Sequence, residues 1–157
     1  MEKEHKQELI SERFFAEMKD TFFFQAQRIK RVIFRNAKQM FKEENINLKV
    51  DQFPILLTAH ALEGMSQQEI ADVTERDKSS AQRTLVSLEK NGLVKIVQDS
   101  TDKRKNLVYL TEEGKFIAKR IKILFKQAEL QTFAVLSEEE RNEALVHIKE
   151  IADKLEK

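Results

Sequence analysis

A chain of 157 residues with 28 basic and 27 acidic side chains has a formal charge of only +1, so any affinity for a polyanion must come from local clustering of cations. Cysteine is absent, which excludes disulfides, thiol-based redox sensing and cysteine-type zinc sites. No apolar run approaches the ~20 residues of a membrane span, and the charged opening MEKEHKQELI lacks the apolar stretch of a signal peptide. A cytoplasmic protein with no membrane partner is expected. Three glycines and one proline leave little punctuation for turns, and the abundance of Glu, Lys, Gln, Leu and Ala predicts a mostly α fold.

In chain order, the first long helix is predicted from about residue 8 to about residue 44. Phe22, Ala26, Ile29, Ile33, Ala37 and Met40 recur in it at helical spacing as one apolar stripe. Arg28, Arg31, Arg35, Lys38 and Lys42 form a basic stripe beside it, read as a solvated face. Asn45 and Asn47 break the pattern. A second helix follows over about residues 51–62, with Pro54 in the first turn, where a missing N–H is tolerated. Gly64 ends it. Ser66-Gln67-Gln68-Glu69 is a capping box, in which Ser66 and Glu69 each accept from the other's amide. It opens a short helix with Ile70, Ala71 and Val73 expected to face inward. After the polar break Thr74-Glu75-Arg76-Asp77, Ala81, Leu85 and Leu88 give the inner face of a further helix, closed by Asn91-Gly92. Two short helices joined by a turn of about four residues make a helix-turn-helix.

Beyond Gly92 the period changes from helical to strand-like. Val94-Lys95-Ile96-Val97 and Leu107-Val108-Tyr109-Leu110 are predicted to pair. The polar residues 99–105 between them make a loop longer than the usual 2–5 of a hairpin. Thr111, followed by Glu112 and Glu113, caps a helix with Ile117, Ile121, Leu124 and Ala128 on one face. Ser137-Glu138-Glu139-Glu140 is a second capping box, opening a last helix with Leu145, Ile148, Ala152 and Leu155 on one side.

A helix-turn-helix followed by a hairpin reads as a winged helix, whose second short helix enters the major groove of DNA while the hairpin reaches along the backbone or into the minor groove. Cations concentrate there: Arg76, Lys78, Arg83, Lys90, Lys95, Lys103, Arg104 and Lys105 stand against Asp77, Glu89, Asp99 and Asp102. With Ala81, Leu85 and Leu88 buried, Ser79, Ser80, Gln82 and Arg83 fall near the outward N-terminal turn. Lys78, Ser79, Ser80 and the helix-terminal amides suit phosphate oxygens. Gln82 suits adenine and Arg83 suits guanine through bidentate hydrogen bonds. At the wing tip, Arg104 is the candidate minor-groove probe, since a weakly hydrated planar cation suits a narrow groove. Lys103 and Lys105 flank it on phosphates, and Asp102 orients it. The competing reading of residues 99–105 is a floppy solvated loop.

The run from Asp102 to Gly114, DKRKNLVYLTEEG, resembles the wing of the MarR family of multiple-antibiotic-resistance regulators, whose usual form is D-x-R-x-x-x-V-x-L-T-x-x-G. Asp102, Arg104, Val108, Leu110, Thr111 and Gly114 match it. Ser66-Gln67-Gln68-Glu69-Ile70-Ala71 resembles the family's bracing helix, and Arg83 with Leu88-Glu89-Lys90-Asn91-Gly92-Leu93-Val94 its recognition helix and exit. Motif-level similarity spans about residues 51–114. It implies a homodimeric winged-helix transcriptional regulator, often a repressor released by a small-molecule effector. Ser100 in place of a common proline, Lys103 in place of a common arginine and Gln82 where threonine is frequent are departures that bear on base preference.

The flanking apolar stripes exceed what a compact winged domain can cover. They point to a homodimer on a palindromic double-stranded operator, with half-sites about one helical turn apart; an intramolecular bundle is the competing reading. The organisation expected is an N-terminal dimerisation segment over residues 1–50, a winged helix-turn-helix over 51–111 and C-terminal dimerisation helices over 112–157. Phe15, Phe22 and Phe23 line either an effector pocket or the core of that dimer. His5, His60 and His147 stand apart from one another, so no metal site is expected, and neither a cofactor motif nor a catalytic constellation is present. The alternative to a DNA-binding regulator is a winged helix that docks an acidic protein partner.

Overall fold

The computed structural model describes residues 16–156. Contact patterns divide the chain into two compact units, Asn36–Gln131 on one hand and Met1–Arg35 with Thr132–Lys157 on the other. The described elements are α1 (Phe22–Glu43), α2 (Phe53–Ala61), α3 (Gln67–Val73), α4 (Lys78–Lys90), β1 (Val94–Gln98), β2 (Asn106–Leu110), α5 (Glu112–Thr132) and α6 (Glu138–Leu155). A mostly α winged helix-turn-helix with a two-stranded wing is what the sequence predicts.

Within Asn36–Gln131, α2, α3 and α4 pack around Ile55, Leu56, Ala59, Ile70, Ala71, Ala81, Leu85 and Leu88. Val94, Val108 and Leu110 close this core from the sheet, and Phe41 at the end of α1 and Ala118, Ile121 and Leu124 in the middle of α5 are buried as well. Each fully buried Leu, Ile or Phe there contributes about 1.5–3 kcal/mol. Arg120 grips Glu44 with two guanidinium hydrogen bonds, one of them Nε to Oε2 at 2.7 Å. That grip joins α5 to the end of α1 and holds the Glu44 carboxyl below its usual range.

β1 and β2 are antiparallel, with Val94 opposite Leu110, Ile96 opposite Val108 and Gln98 opposite Asn106. The other edge of β2 is also occupied. The Gly64 amide donates to the Val108 carbonyl at 3.1 Å, and the Val108 amide to the Met65 carbonyl at 2.9 Å. The turn before α3 is thereby stitched to the wing, a pairing absent from the sequence reading. Gly64 adopts φ +83° to make that turn.

Local signals account for most element ends. Ser66 and Ser137 both form the capping boxes expected of them. Gly92, at φ +73°, ends α4 in a Schellman motif, with the Leu93 amide bonded to the Leu88 carbonyl and the Gly92 amide to that of Glu89.

Three expectations need correction. The single helix over about residues 8–44 is interrupted by a turn at residues 19–21, and its predicted start lies outside the described residues. Thr21 makes the break: its hydroxyl donates to the Met18 carbonyl at 2.8 Å and accepts from the Phe24 amide at 3.3 Å, which favours a fresh helix start over continuation. Val73 is 55% exposed rather than inward. It lies about 200° around the helix from Ala71, and the half-buried Thr74 closes the end of α3 with its hydroxyl donating to the Ile70 carbonyl. The apolar stripe of α1 is covered only toward its end in the single chain: Ala37 is buried, whereas Phe22 and Ile29 are exposed.

Candidate nucleic-acid interface

Asp77 starts α4 by accepting the Ser80 amide at 2.8 Å. The Ser80 amide is therefore committed, and it is not among the helix-terminal donors open to a phosphate. Arg76, just before, donates through its guanidinium to the Asp51 carbonyl, so this cation braces the turn. Lys78, Ser79, Gln82, Arg83, Val86 and Lys90 are exposed along α4, and Ser80 is half-buried. Behind the helix, buried Gln52 donates to the Ser87 hydroxyl at 3.1 Å. The Ile96 amide of β1 donates to the Glu89 carboxylate at 2.9 Å. Gln52, Arg76, Asp77 and Glu89 are thus positioning residues. The sequence offered little signal for Gln52 and Glu89, but an Asp three residues before an amide in a helical first turn is a cap pattern.

The wing loop is built rather than slack. Asp99 Oδ1 accepts from the Thr101 amide at 2.7 Å, from its hydroxyl at 2.8 Å and from the Asp102 amide at 3.4 Å. The Asp99 amide donates to the Lys105 carbonyl at 3.0 Å, the Lys105 amide to the Asp102 carbonyl at 2.8 Å, and Gln98 Nε2 to the Lys103 carbonyl at 2.7 Å. The Thr101 amide and hydroxyl hold the Asp99 carboxyl below its usual range. Asp-Ser-Thr-Asp is an Asx-turn signature, and Asp99 is the residue the sequence reading overlooked.

At the tip, Asp102 Oδ1 accepts from the Arg104 amide at 3.1 Å and from its Nε at 3.3 Å. The Arg104 side chain is nonetheless 93% exposed. The pair expected from the sequence is brought together, with the guanidinium projecting into solvent. Lys103 and Lys105 are exposed as well. The Lys105 charge adds a smaller part to the lowering of Asp99 and of Glu69, whose carboxyl is held down chiefly by the Ser66 hydroxyl and amide.

Where the wing returns to α5, Thr111 and Gly114 form a lock. The Thr111 hydroxyl donates to the Gly92 carbonyl at 2.6 Å and accepts from the Gly114 amide at 2.9 Å, and the Thr111 amide donates to the Leu93 carbonyl at 3.1 Å. A Cβ on Gly114 would lie 1.9 Å from the Leu93 carbonyl oxygen. T-x-x-G is therefore a close backbone crossing at the base of the wing.

Phe22 and Phe23 are exposed, and Phe15 lies outside the described residues. A cavity of about 200 Å³ lies elsewhere, lined by Asn45, Ile46, Asn47, Asn91, Leu93, Glu113 and Ile117. Among the described residues no group of three or more His, Asp or Glu could hold a metal ion, and no helix is long and apolar enough to cross a membrane.

A braced helix-turn-helix, a second helix with a polar outward face and a hairpin with a cationic tip define a winged-helix protein of the DNA-binding type. Residues 48–105 match the MarR family model. Solved structures share the fold over most of their length. Wild-type apo MarR from Escherichia coli is 20% identical at a TM-score of 0.74, over 83% of this chain and 96% of that one. MepR from Staphylococcus aureus, solved as a complex with DNA, is 21% identical at 0.71, over 85% and 98%. PcaV from Streptomyces coelicolor, solved with its natural ligand, is 23% identical at 0.71, over 87% and 94%. No curated protein matches the sequence.

Proposed function

We propose that this protein is a sequence-specific, homodimeric transcriptional regulator that binds a palindromic operator in double-stranded DNA. We further propose that it acts as a cytoplasmic repressor released by a small-molecule effector. The observation that carries the reading is the wing tip. A fully projecting Arg104, held by Asp102 on a loop with its own hydrogen-bond network, presents a pre-oriented cation of the kind that suits a narrow groove. Arg83 and Gln82 would read bases, Lys78, Ser79, Ser80, Lys103 and Lys105 would hold phosphates, and Arg104 would enter the minor groove.

The dimer is supported by α6, in which no residue is buried although Leu145, Ile148, Ile151 and Leu155 make an apolar face. Phe22 and Phe23 present further exposed apolar surface in the same unit, which suits interface core. The MepR complex with DNA and the PcaV complex with its ligand lend analogy to operator binding and to effector release.

The test is fluorescence anisotropy on the DNA upstream of the protein's own gene against a scrambled duplex, across a salt series. Tight, steeply salt-dependent binding to the native sequence alone is expected. Equal weak binding to both, together with failure to enrich any sequence from a random pool, would refute the reading in favour of an acidic protein partner. Sedimentation should give a dimer for the wild type and a monomer for Ile148→Glu; an unchanged dimer would remove α6 from the interface.

A further inference from the structure

The outward face of α4 carries an apolar side chain, Val86, that the base- and phosphate-contacting set leaves without a role. Ala81, Thr84, Leu85 and Leu88 are its buried residues and define an inward direction. Counted at about 100° per residue, Ser79 and Lys90 lie within about 10° of the opposite direction, Arg83 and Val86 within about 30°, and Gln82 about 70° off it. Val86 is 38% exposed and is the one apolar residue among the exposed side chains of α4. An exposed valine on a helix is disfavoured twice, by crowding of its branched Cβ against the preceding turn and by apolar surface left in water. Gln82 and Arg83 lie one turn before it and Lys90 one turn after.

We propose that Val86 reads the C5-methyl group of a thymine in the major groove, beside the base contacted by Arg83. The inference rests on the DNA-binding reading above and names a specificity determinant within it. In the major groove thymine alone among the four bases presents a methyl group. The two methyls of Val86 offer apolar surface without a competing hydrogen-bonding group, so they select for that methyl and for nothing else on a base edge.

The experiment starts by enriching duplexes from a random-sequence pool with the wild-type protein, which supplies the site. Each thymine of that site is then replaced singly by deoxyuridine, which removes the methyl and leaves the hydrogen-bonding edge intact. One thymine per half-site is expected to lose about four-fold in wild-type affinity, the factor for one buried methyl. The same exchange should leave the affinity of Val86→Ala unchanged, its melting temperature and circular dichroism confirming that it folds. If no thymine shows a wild-type loss that Val86→Ala lacks, the proposal is overturned while the DNA-binding reading stands. If no sequence is enriched at all, both fall together.

Discussion

Replacing Gly114 by alanine tests the close crossing at the base of the wing. On propensity alone the substitution should help, since alanine inside a helix is favoured over glycine by about 1 kcal/mol. The crossing predicts the reverse sign. The new Cβ would meet the Leu93 oxygen at 1.9 Å and its carbonyl carbon at 2.9 Å, and neither atom is the end of a flexible side chain. Relief requires the Leu93 backbone to retreat by more than an ångström, which strains the Thr111 bonds to Gly92 and Leu93. Overpacking of about 1–3 kcal/mol or somewhat more and weakening of two hydrogen bonds at about 1 kcal/mol each outweigh the propensity gain. The expected net loss is about 2–4 kcal/mol. In a chain of this size that lowers the melting temperature by roughly 4–16 °C, measured at a fixed protomer concentration because the proposed dimerisation would contribute to stability. Glu113→Ala, on an exposed neighbour, is the control and should change little. A Gly114→Ala protein as stable as wild type would refute the crossing.

Other consequences can be checked on the same material. Arg83→Ala should cost roughly 1–3 kcal/mol on the enriched site and relax its sequence preference; a wild-type ratio of specific to scrambled binding would remove Arg83 from base reading. Arg104→Ala should weaken binding and lower the salt slope by about one, whereas unchanged affinity and slope would return the wing tip to a solvated role. The carboxyls of Glu69, Asp99 and Glu140 are held below their usual range, chiefly by Ser66, Thr101 and Ser137 respectively. Groups with a depressed folded-state pKa stabilise fully above the ordinary carboxylate range near 4 and lose that contribution as pH falls through the depressed values. The urea midpoint should therefore hold between about pH 7 and pH 5 and drop below, more steeply in wild type than in Glu69→Gln/Asp99→Asn/Glu140→Gln. Identical pH profiles would show that these bonds do not persist in solution.

What was legible in the sequence was local. Capping boxes at Ser66 and Ser137, the Asn91-Gly92 stop, and the change of period after Gly92 are all encoded within a few residues, and the elements they delimit appear where the sequence places them. The loop over residues 99–105 falls between β1 and β2 as expected because alternation ends at Gln98 and resumes at Asn106. What was not legible depends on partners distant in the chain. Gln52 with Ser87, Arg76 with the Asp51 carbonyl, and Glu89 with the Ile96 amide involve polar side chains that resemble ordinary surface residues until the fold supplies a partner. The strand-like pairing of residues 64–66 with β2 is hidden for the same reason, since it uses backbone groups alone. Thr21 was hidden differently: the helical period continues on both sides of it, and only its hydroxyl bonds show the break.

These distant ties have a shared effect on how the site would work. The Gly64–Val108 and Val108–Met65 bonds join the start of α3 to β2, the Glu89–Ile96 bond joins α4 to β1, and the Thr111 lock joins both strands to α5. The Glu89–Ile96 bond crosses directly between the helix expected to read bases and the wing, and the others tie the wing to the bracing helix and to α5. With the wing tied to α3, α4 and α5, the spacing between Arg83 and Arg104 is held by hydrogen bonds as well as by side-chain packing. In the proposed dimer a winged helix so braced would meet DNA as one body, and the freedom left to an effector would lie in how two such bodies are held apart. On that argument, effector-resistant variants should fall on the apolar faces of α1 and α6 more often than in the wing. Variants concentrated at Glu89, Ile96 or Thr111 instead would mean that release works by loosening the winged helix itself.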